Sequence, residues 1–202
     1  MSDFNKMTAG VAYETDSGKT PMANLKQRMV VINKSDLPLS KITLDGTNPN
    51  ELITGLGLES NISGYMLDLA KDNGVSLKHA NEFSKQENIR NGFRHILPEV
   101  VWPDNTKVGR AILNKMVNGL FYAVVEQEFG GNTDREAAFL FYGYPTGLEM
   151  IMVSDASNEN SGLPIVTFQS QENIVLPYRP HIYLDIDYDT SLAEFEKAFK
   201  GD

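Results

Sequence analysis

Cysteine is absent from this chain of 202 residues, and tryptophan occurs once. The lack of thiols excludes disulfide bridges, thiolate metal sites and cysteine nucleophiles. Basic residues are also scarce: 18 lysines and arginines stand against 27 aspartates and glutamates, so the formal net charge is −9. Such a chain lacks the cationic excess that binds nucleic-acid phosphates or anionic membrane surfaces. We therefore expect neither sequence-specific nucleic acid nor a membrane among its partners.

Long apolar runs and recognisable catalytic motifs are missing as well. No apolar run approaches the roughly 18 residues that a membrane span needs, and residues 1–6 contain no hydrophobic stretch typical of a secretory signal. The three histidines, His79, His95 and His181, are not spaced as a ligand pair. The Gly-x-Ser-x-Gly motif of serine hydrolases does not occur. These absences lower the expectation of an enzyme, and no cofactor is expected.

The sequence predicts an α+β fold with an extended N-terminal arm at residues 1–27 and a single domain at residues 28–202. The arm is polar and shows no sustained hydrophobic period. In the domain, short alternating segments separated by Gly, Pro and Asn predict an antiparallel β-sandwich or barrel core. The predicted strands span residues 29–32, 39–44, 120–129, 137–144, 148–153, 163–168 and 181–188.

A helical insertion is predicted at about residues 48–118. Its clearest helix spans residues 61–71, where apolar side chains recur every three or four positions. Two further helices are predicted, at residues 80–91 and 105–118. In the last of these, the side chains expected to face inward are Val108, Ala111, Ile112 and Met116.

The chain is predicted to end in a short helix. Residues 191–194, Ser-Leu-Ala-Glu, have the pattern of a capping box, in which the serine would cap the helix. Leu192, Phe195 and Phe199 would then form the buried face, and Gly201 would end the helix.

The most unusual segment precedes this helix and is rich in aspartate. In a strand, Asp185, Asp187 and Asp189 share one face at intervals of about 7 Å, and oxygen clusters of this kind suit calcium or magnesium. Together with Glu196 they match positions 1, 3, 5 and 12 of an EF-hand loop. However, Thr190 replaces the turn glycine and no helix enters the loop. The segment is therefore predicted as a half-buried strand with an acidic solvent-facing side, whose last Asp or Ser caps the following helix. A looser cation site formed by the four acids is the alternative.

Glu126 and Glu128 form a second acidic pair, on the predicted strand at 120–129. A pair of catalytic carboxylates for sugar hydrolysis must face each other across a cleft. Residues two apart on one strand point the same way. The sequence therefore predicts that both glutamates lie on an exposed face.

These features favour a non-enzymatic structural subunit of a large homo- or hetero-oligomeric assembly. A β-rich scaffold with many loops and an extended arm is suited to packing against copies of itself and other assembly subunits. The most natural case is a virion protein from a bacteriophage tail, capsid-associated layer or connector, made in the host cytoplasm. The acids Asp185, Asp187, Asp189, Glu126 and Glu128 would then line a lumen past which DNA slides.

Two alternatives from other classes stay open at this point. One is a divalent-metal-dependent hydrolase or lyase that uses the aspartate cluster, which predicts stabilisation by the metal. The other is a small acidic binding or inhibitor protein, cytoplasmic, whose negative surface mimics nucleic acid. It predicts a stable monomer or dimer with a basic partner.

Overall fold

A computed structural model of the chain describes residues 25–68, 80–84, 92–103, 106–127, 134–154, 163–172 and 174–201. These residues form an α+β fold in which one mixed sheet carries most of the secondary structure. The eleven strands are β1 (Leu25–Asn33), β2 (Ile42–Leu44), β3 (Leu52–Leu56), β4 (Tyr65–Asp68), β5 (Ala80–Ser84), β6 (Gly92–Val101), β7 (Leu120–Gln127), β8 (Phe139–Tyr142), β9 (Leu148–Ser154), β10 (Ile165–Ser170) and β11 (His181–Tyr183). The α-helices are α1 (Lys107–Met116) and α2 (Tyr188–Glu196), and Leu39–Lys41 forms a 3-10 turn.

β7 lies at the centre of the sheet, and one of its edges pairs with two different strands, so the sheet branches there. Along one edge β7 pairs with β1, from Phe121 opposite Asn33 to Gln127 opposite Leu25, and β1 in turn pairs with β4. The other edge of β7 is shared between β8 and β9. Two wings follow: a first wing of β8, β11, β3 and β2, and a second wing of β9, β10, β6 and β5.

Both faces of the β1–β7 pair are buried, and each face contributes to a separate core. Successive side chains of a strand point to opposite faces, so Met29 and Val31 enter one core while Val30 and Ile32 enter the other. The α1 core consists of Met29, Val31, Leu67, Leu97, Val100, Trp102, Leu113, Met116, Phe121, Ala123, Val125, Tyr142, Leu148, Val166 and Phe168. The α2 core consists of Val30, Ile32, Leu37, Ile42, Ile53, Leu58, Tyr122, Val124, Ala138, Phe139, Phe141, Tyr183, Phe195, Ala198 and Phe199.

The helical insertion predicted at 48–118 is wrong except at its end, where α1 forms. In the segment predicted as the clearest helix, β4 occupies positions 65–68. The apolar residues there do not alternate with polar ones because β4 uses both faces: Leu67 packs in the α1 core and Met66 against the α2 core. Adjacent apolar side chains directed to opposite cores break the apolar–polar alternation of a strand, and they also fit the short spacing of a helix. Likewise β5 lies where the second insertion helix is predicted, at 80–91.

The predicted C-terminal helix is confirmed, but it begins and ends earlier than expected. It stops at Glu196, so Phe199 lies beyond the helix and Gly201 does not end it. The strand predicted at 181–188 ends at Tyr183. Asp185 and Asp187 follow it in a bend and Asp189 lies in α2, so the three aspartates do not share one strand face.

Asp187 is the N-cap of α2, where its side chain accepts a hydrogen bond from the Thr190 backbone N–H at 2.8 Å. Ser191, the expected cap, is buried in the first turn; its Oγ donates to the Asp187 carbonyl and accepts from the Asp185 N–H.

The arm predicted at 1–27 lies outside the described residues except for its last three positions, which begin β1. The strand predicted at 39–44 is shorter than expected, because the 3-10 turn precedes β2. None of the helices in the described part of the chain is long and apolar enough to cross a membrane. The core is not wholly antiparallel as predicted, because β11 and β3 run parallel. The described strands run in order from β2 to β5 without closing into a barrel, and a sandwich stays a prediction.

Candidate functional site

The acids predicted as a cation site lie around α2. Asp187 is engaged as the helix cap, and the hydrogen bonds from Thr190 hold the pKa of its carboxyl below the usual value. Asp189 lies in the first turn of α2. Glu196 is its last residue, with an oxygen 3.6 Å from the Arg28 guanidinium. Across the ranges that the structure describes, no three His, Asp or Glu side chains are grouped so as to hold a metal ion. The cation site stays a prediction.

The prediction of an exposed face for Glu126 is wrong, because its side chain is 0% exposed. Its Oε2 accepts a hydrogen bond from the Arg28 guanidinium at 2.8 Å. Its Oε1 accepts one from the Tyr188 hydroxyl at 3.2 Å and lies 3.7 Å from the Arg135 guanidinium. A buried carboxylate is costly unless it is paired and hydrogen-bonded, and these three partners meet that condition. Glu128 lies outside the described residues.

The contacts of Glu126 hold α2 against the sheet. Arg28 comes from β1 and lies over the Phe195 ring at 5.6 Å, while Arg135 lies 4.0 Å from the centre of the Tyr188 ring. The hydrogen bond to Glu126 raises the pKa of Arg28 above its ordinary value, so the guanidinium stays charged. We call these residues the α2 ion network: Arg28, Glu126, Arg135, Tyr188 and Glu196. Because Glu126 is buried among basic partners, it cannot line a lumen, and that part of the lumen hypothesis is wrong.

His95 links the two wings where they separate. It lies on β6 and is 0% exposed. Its Nε2 lies 3.0 Å from the Tyr178 carbonyl and its Nδ1 accepts from the Gly143 N–H at 3.2 Å, so the ring is neutral with its proton on Nε2. Burial lowers the pKa of His95 to about 4. Both nitrogens are occupied by backbone groups, so His95 is a structural residue.

His181 is the second buried histidine, on β11 in the first wing, and it is 2% exposed. Its ring packs edge-on against Tyr144 at 5.0 Å and Tyr178 at 6.2 Å. Burial lowers the pKa of His181 below its ordinary value. His79 lies outside the described residues. The two described histidines therefore differ in their contacts: His95 is hydrogen-bonded through both ring nitrogens, whereas His181 packs between two tyrosine rings.

An open groove beside α1 is the feature of the surface that the sequence does not predict. Its volume of about 1310 Å³ exceeds the roughly 300–1,000 Å³ typical of small-molecule sites. It runs past the end of β1, the 3-10 turn, β4, α1 and the start of β7. The residues lining it are Val31, Asn33, Lys34, Ser35, Pro38, Leu39, Ser40, Tyr65, Met66, Leu67, Trp102, Ile112, Lys115, Met116, Asn118, Gly119, Leu120 and Phe121.

Large apolar side chains face solvent in this groove. Leu39 is 46% exposed, Tyr65 58% and Ile112 44%. Met116 is buried in α1 as predicted. The prediction that Val108, Ala111 and Ile112 face inward is wrong, since these residues are exposed and α1 buries Gly109 and Leu113 instead. The helix therefore carries apolar residues on two faces, and the one containing Ile112 is left uncovered by the described residues.

The charges in the groove are of one sign. Lys34 and Lys115 are the charged residues among its described lining side chains, and no acid occurs there. Lys34 also donates to the Thr146 carbonyl at 2.7 Å, which fixes its position. In a chain of net charge −9, the groove is thus a local positive and apolar surface.

The groove also borders a strand edge. Among the described strands β4 pairs with β1 alone, so its other edge has no strand partner in the part of the chain that the structure describes. Tyr65, at the start of β4, lies both on this strand and in the groove. An extended polypeptide can add to such an edge while its side chains enter the adjacent groove.

The chain matches no protein-family model, and no curated protein or solved structure matches it significantly. A functional interpretation therefore depends on the surface itself. The groove beside α1 is the best candidate, because it combines exposed apolar side chains, positive charge and a strand edge that no described strand pairs with.

Proposed function

We propose that the protein is a non-enzymatic structural subunit of a large homo- or hetero-oligomeric assembly, most naturally a virion component of the bacteriophage tail, capsid-associated or connector type. The observation that carries this proposal is the groove beside α1. Extended apolar surface rimmed by polar side chains marks interaction sites on proteins. A groove of this size bordered by a strand edge fits a protein segment better than a small substrate.

The sheet supports this proposal through its outer strands. β2, β4 and β5 each pair on one side only among the described strands. Such edges are templates for pairing with another chain. The partners we propose are copies of the same chain and other subunits of the assembly. The net charge of −9 keeps free subunits apart until specific contacts form, as a subunit made in the cytoplasm before assembly requires.

The buried ionisable groups also suit a scaffold. Glu126 joins β7 to β1 and α2. His95 joins β6 to backbone groups of two loops, at Gly143 and Tyr178. Both side chains form their hydrogen bonds between separate elements of the fold. These bonds stabilise one fixed shape, which repeated packing of subunits requires.

Size-exclusion chromatography with light scattering, followed by negative-stain microscopy of each peak, tests the proposal. We expect a concentration-dependent series of oligomers, with rings or tubes in the largest fractions. A monomer at every concentration that captures a basic protein in pull-downs would contradict the proposal and favour the acidic binding-protein alternative.

A further inference from the structure

Ile186 lies in the bend between β11 and α2. At 80% it is the most exposed of the large apolar side chains in the described part of the chain. Single exposed apolar residues are common on protein surfaces, so its neighbours decide whether it belongs to a binding surface. Asp185 and Asp187 flank it, and Asp189 follows in the first turn of α2. We call residues 185–189, which include no basic side chain, the acidic bend.

The backbone of the acidic bend is held in one conformation by its own hydrogen bonds. The Asp185 N–H donates to the Ser191 Oγ at 3.0 Å, and this hydroxyl donates to the Asp187 carbonyl at 2.7 Å. The Asp187 side chain accepts from the Thr190 N–H at 2.8 Å. A segment that is already ordered loses less conformational entropy when it binds. The fold therefore presents Ile186 and its neighbouring carboxylates as a preformed surface.

The groove beside α1 has the complementary chemistry. Its exposed apolar side chains are Leu39, Tyr65 and Ile112, and the charged residues of its described lining are Lys34 and Lys115. The acidic bend offers an exposed apolar side chain with carboxylates on both sides. Opposite charges steer two surfaces together and fix their orientation, and apolar contact between them removes exposed hydrocarbon from water. The groove and the acidic bend match in both respects.

The groove and the acidic bend lie on different sides of one subunit. α1 packs on the α1 core and α2 on the α2 core, and these cores lie on opposite faces of the β1–β7 pair. One copy therefore offers its groove to one neighbour and its acidic bend to another. A contact between two different surfaces is heterologous, and its repetition builds closed rings or open filaments. These are the forms expected of the proposed assembly.

We infer that the acidic bend of one copy binds in the α1 groove of a neighbouring copy, with Ile186 against the apolar lining and the aspartates facing Lys34 and Lys115. This inference rests on the proposed function, because it requires assembly of the chain with itself. It identifies the occupant of the groove as a second copy and names the surface that enters. The aspartates then lie between subunits and line no lumen.

Mixing two variants tests the inference in solution. Ile186→Lys removes the apolar side chain of the acidic bend, and Ile112→Lys places a charge in the groove; both positions are exposed, so both variants should fold. We expect each variant alone to be monomeric in sedimentation velocity where the wild type assembles, with self-association weakened by about tenfold or more, which is about 1.4 kcal/mol. An equimolar mixture should form one-to-one dimers that grow no further, because a single intact groove meets a single intact bend. Ile151→Lys, at an exposed isoleucine outside the groove, is the matched control and should assemble like the wild type.

Crosslinking tests the contact directly, since the natural chain contains no cysteine. Asp189→Cys places one thiol on the acidic bend, and Ile112→Cys places one in the groove of a second preparation. After the two preparations are mixed, a short bismaleimide should join positions 189 and 112 in dimers. In the matched control, Ile151→Cys takes the place of Ile112→Cys, and no dimer joined through positions 189 and 151 is expected.

The other outcomes separate this inference from the proposed function. Assembly of Ile186→Lys like the wild type would overturn the inference and leave the proposed function standing. A mixture of the Ile186→Lys and Ile112→Lys variants that stays monomeric would do the same, as would equal crosslinking of position 189 to positions 112 and 151. A wild-type protein that is monomeric at every concentration would overturn both.

Discussion

The α1 core and the α2 core lie on opposite faces of the same two strands, yet they are covered differently. Each contains fifteen buried residues, so the difference is not one of size. The α2 core is sealed by aromatic rings of α2 and by the α2 ion network. The α1 core is bordered by a groove in which Ile112 and Tyr65 stay exposed. One core is completed within the chain, and we propose that the other is completed by assembly.

The largest expected loss of stability comes from truncating a side chain in the α2 core. Phe195 is 0% exposed and packs on Phe139 at 5.1 Å, so Phe195→Ala should reduce the free energy of unfolding by about 3–5 kcal/mol. Ile112→Ala on the groove side should change it by less than about 0.5 kcal/mol in the monomer, because the side chain is already half exposed. Urea unfolding of both variants measures the difference. Equal losses would show that the two cores are covered alike.

The junction between the wings should weaken in acid. The unfolded chain binds a proton on histidine near pH 6.5, whereas His95 does so in the folded state at about pH 4. The unfolded state therefore binds more protons between these values. The contribution of His95 to the free energy of unfolding is therefore fully present above about pH 6.5. It falls by about 1.4 kcal/mol per pH unit as the pH drops toward 4.

Urea midpoints measured across that pH range test this expectation. His95→Gln should be less sensitive to pH than the wild type, with the remaining dependence coming from His181 and the carboxyl groups. The same slope in both proteins would contradict the assignment of His95 as a neutral buried ring.

The α2 ion network should show a smaller effect. Glu126→Gln leaves Arg28 and Arg135 without their buried carboxylate, and we expect a loss of about 2 kcal/mol. This is less than the ~3–5 kcal/mol for a fully buried pair, because each arginine side chain is 31% exposed. Glu196→Gln is the matched control: its side chain is 57% exposed, and such surface pairs contribute at most about 1 kcal/mol. A larger loss of stability for Glu196→Gln than for Glu126→Gln, measured by thermal or urea unfolding, would contradict this expectation.

Divalent cations should have the smallest effect. A bound ion at 100 times its dissociation constant would add about 2.7 kcal/mol, but Asp187 is engaged in capping α2. We therefore expect no change in melting temperature with calcium, magnesium or manganese. A rise that Asp187→Asn abolishes would support the cation site and the metal-dependent alternative.

The sequence predicts the central strands and both α-helices, because their patterns are determined by local burial. β8 is apolar throughout, as a central strand between two neighbours should be. The helix predicted at residues 61–71 is wrong at β4, because Met66 and Leu67 pack toward different cores and their spacing also fits a helix. This error arises because neighbouring apolar side chains of β4 are directed to opposite cores.

The site could be predicted less well than the fold, because its parts are distant in sequence. Glu126 follows the alternation of β7 and so resembles an exposed residue, but Arg28, its main partner, is 98 positions away. The lining of the groove comes from four separate stretches of the sequence, and none of them predicts the groove alone. The one local signal is in α1, where Ile112 is an apolar residue outside the buried stripe.

Sedimentation velocity of the wild type, Ile112→Lys and Ile151→Lys over a range of concentrations tests the central claim most directly. The two substitutions place the same charge at isoleucines of similar exposure, one in the groove and one outside it. We expect the wild type and Ile151→Lys to form the same oligomers, and Ile112→Lys to stay monomeric with unchanged stability. Identical oligomers from all three proteins would contradict the claim that the groove beside α1 is the assembly surface.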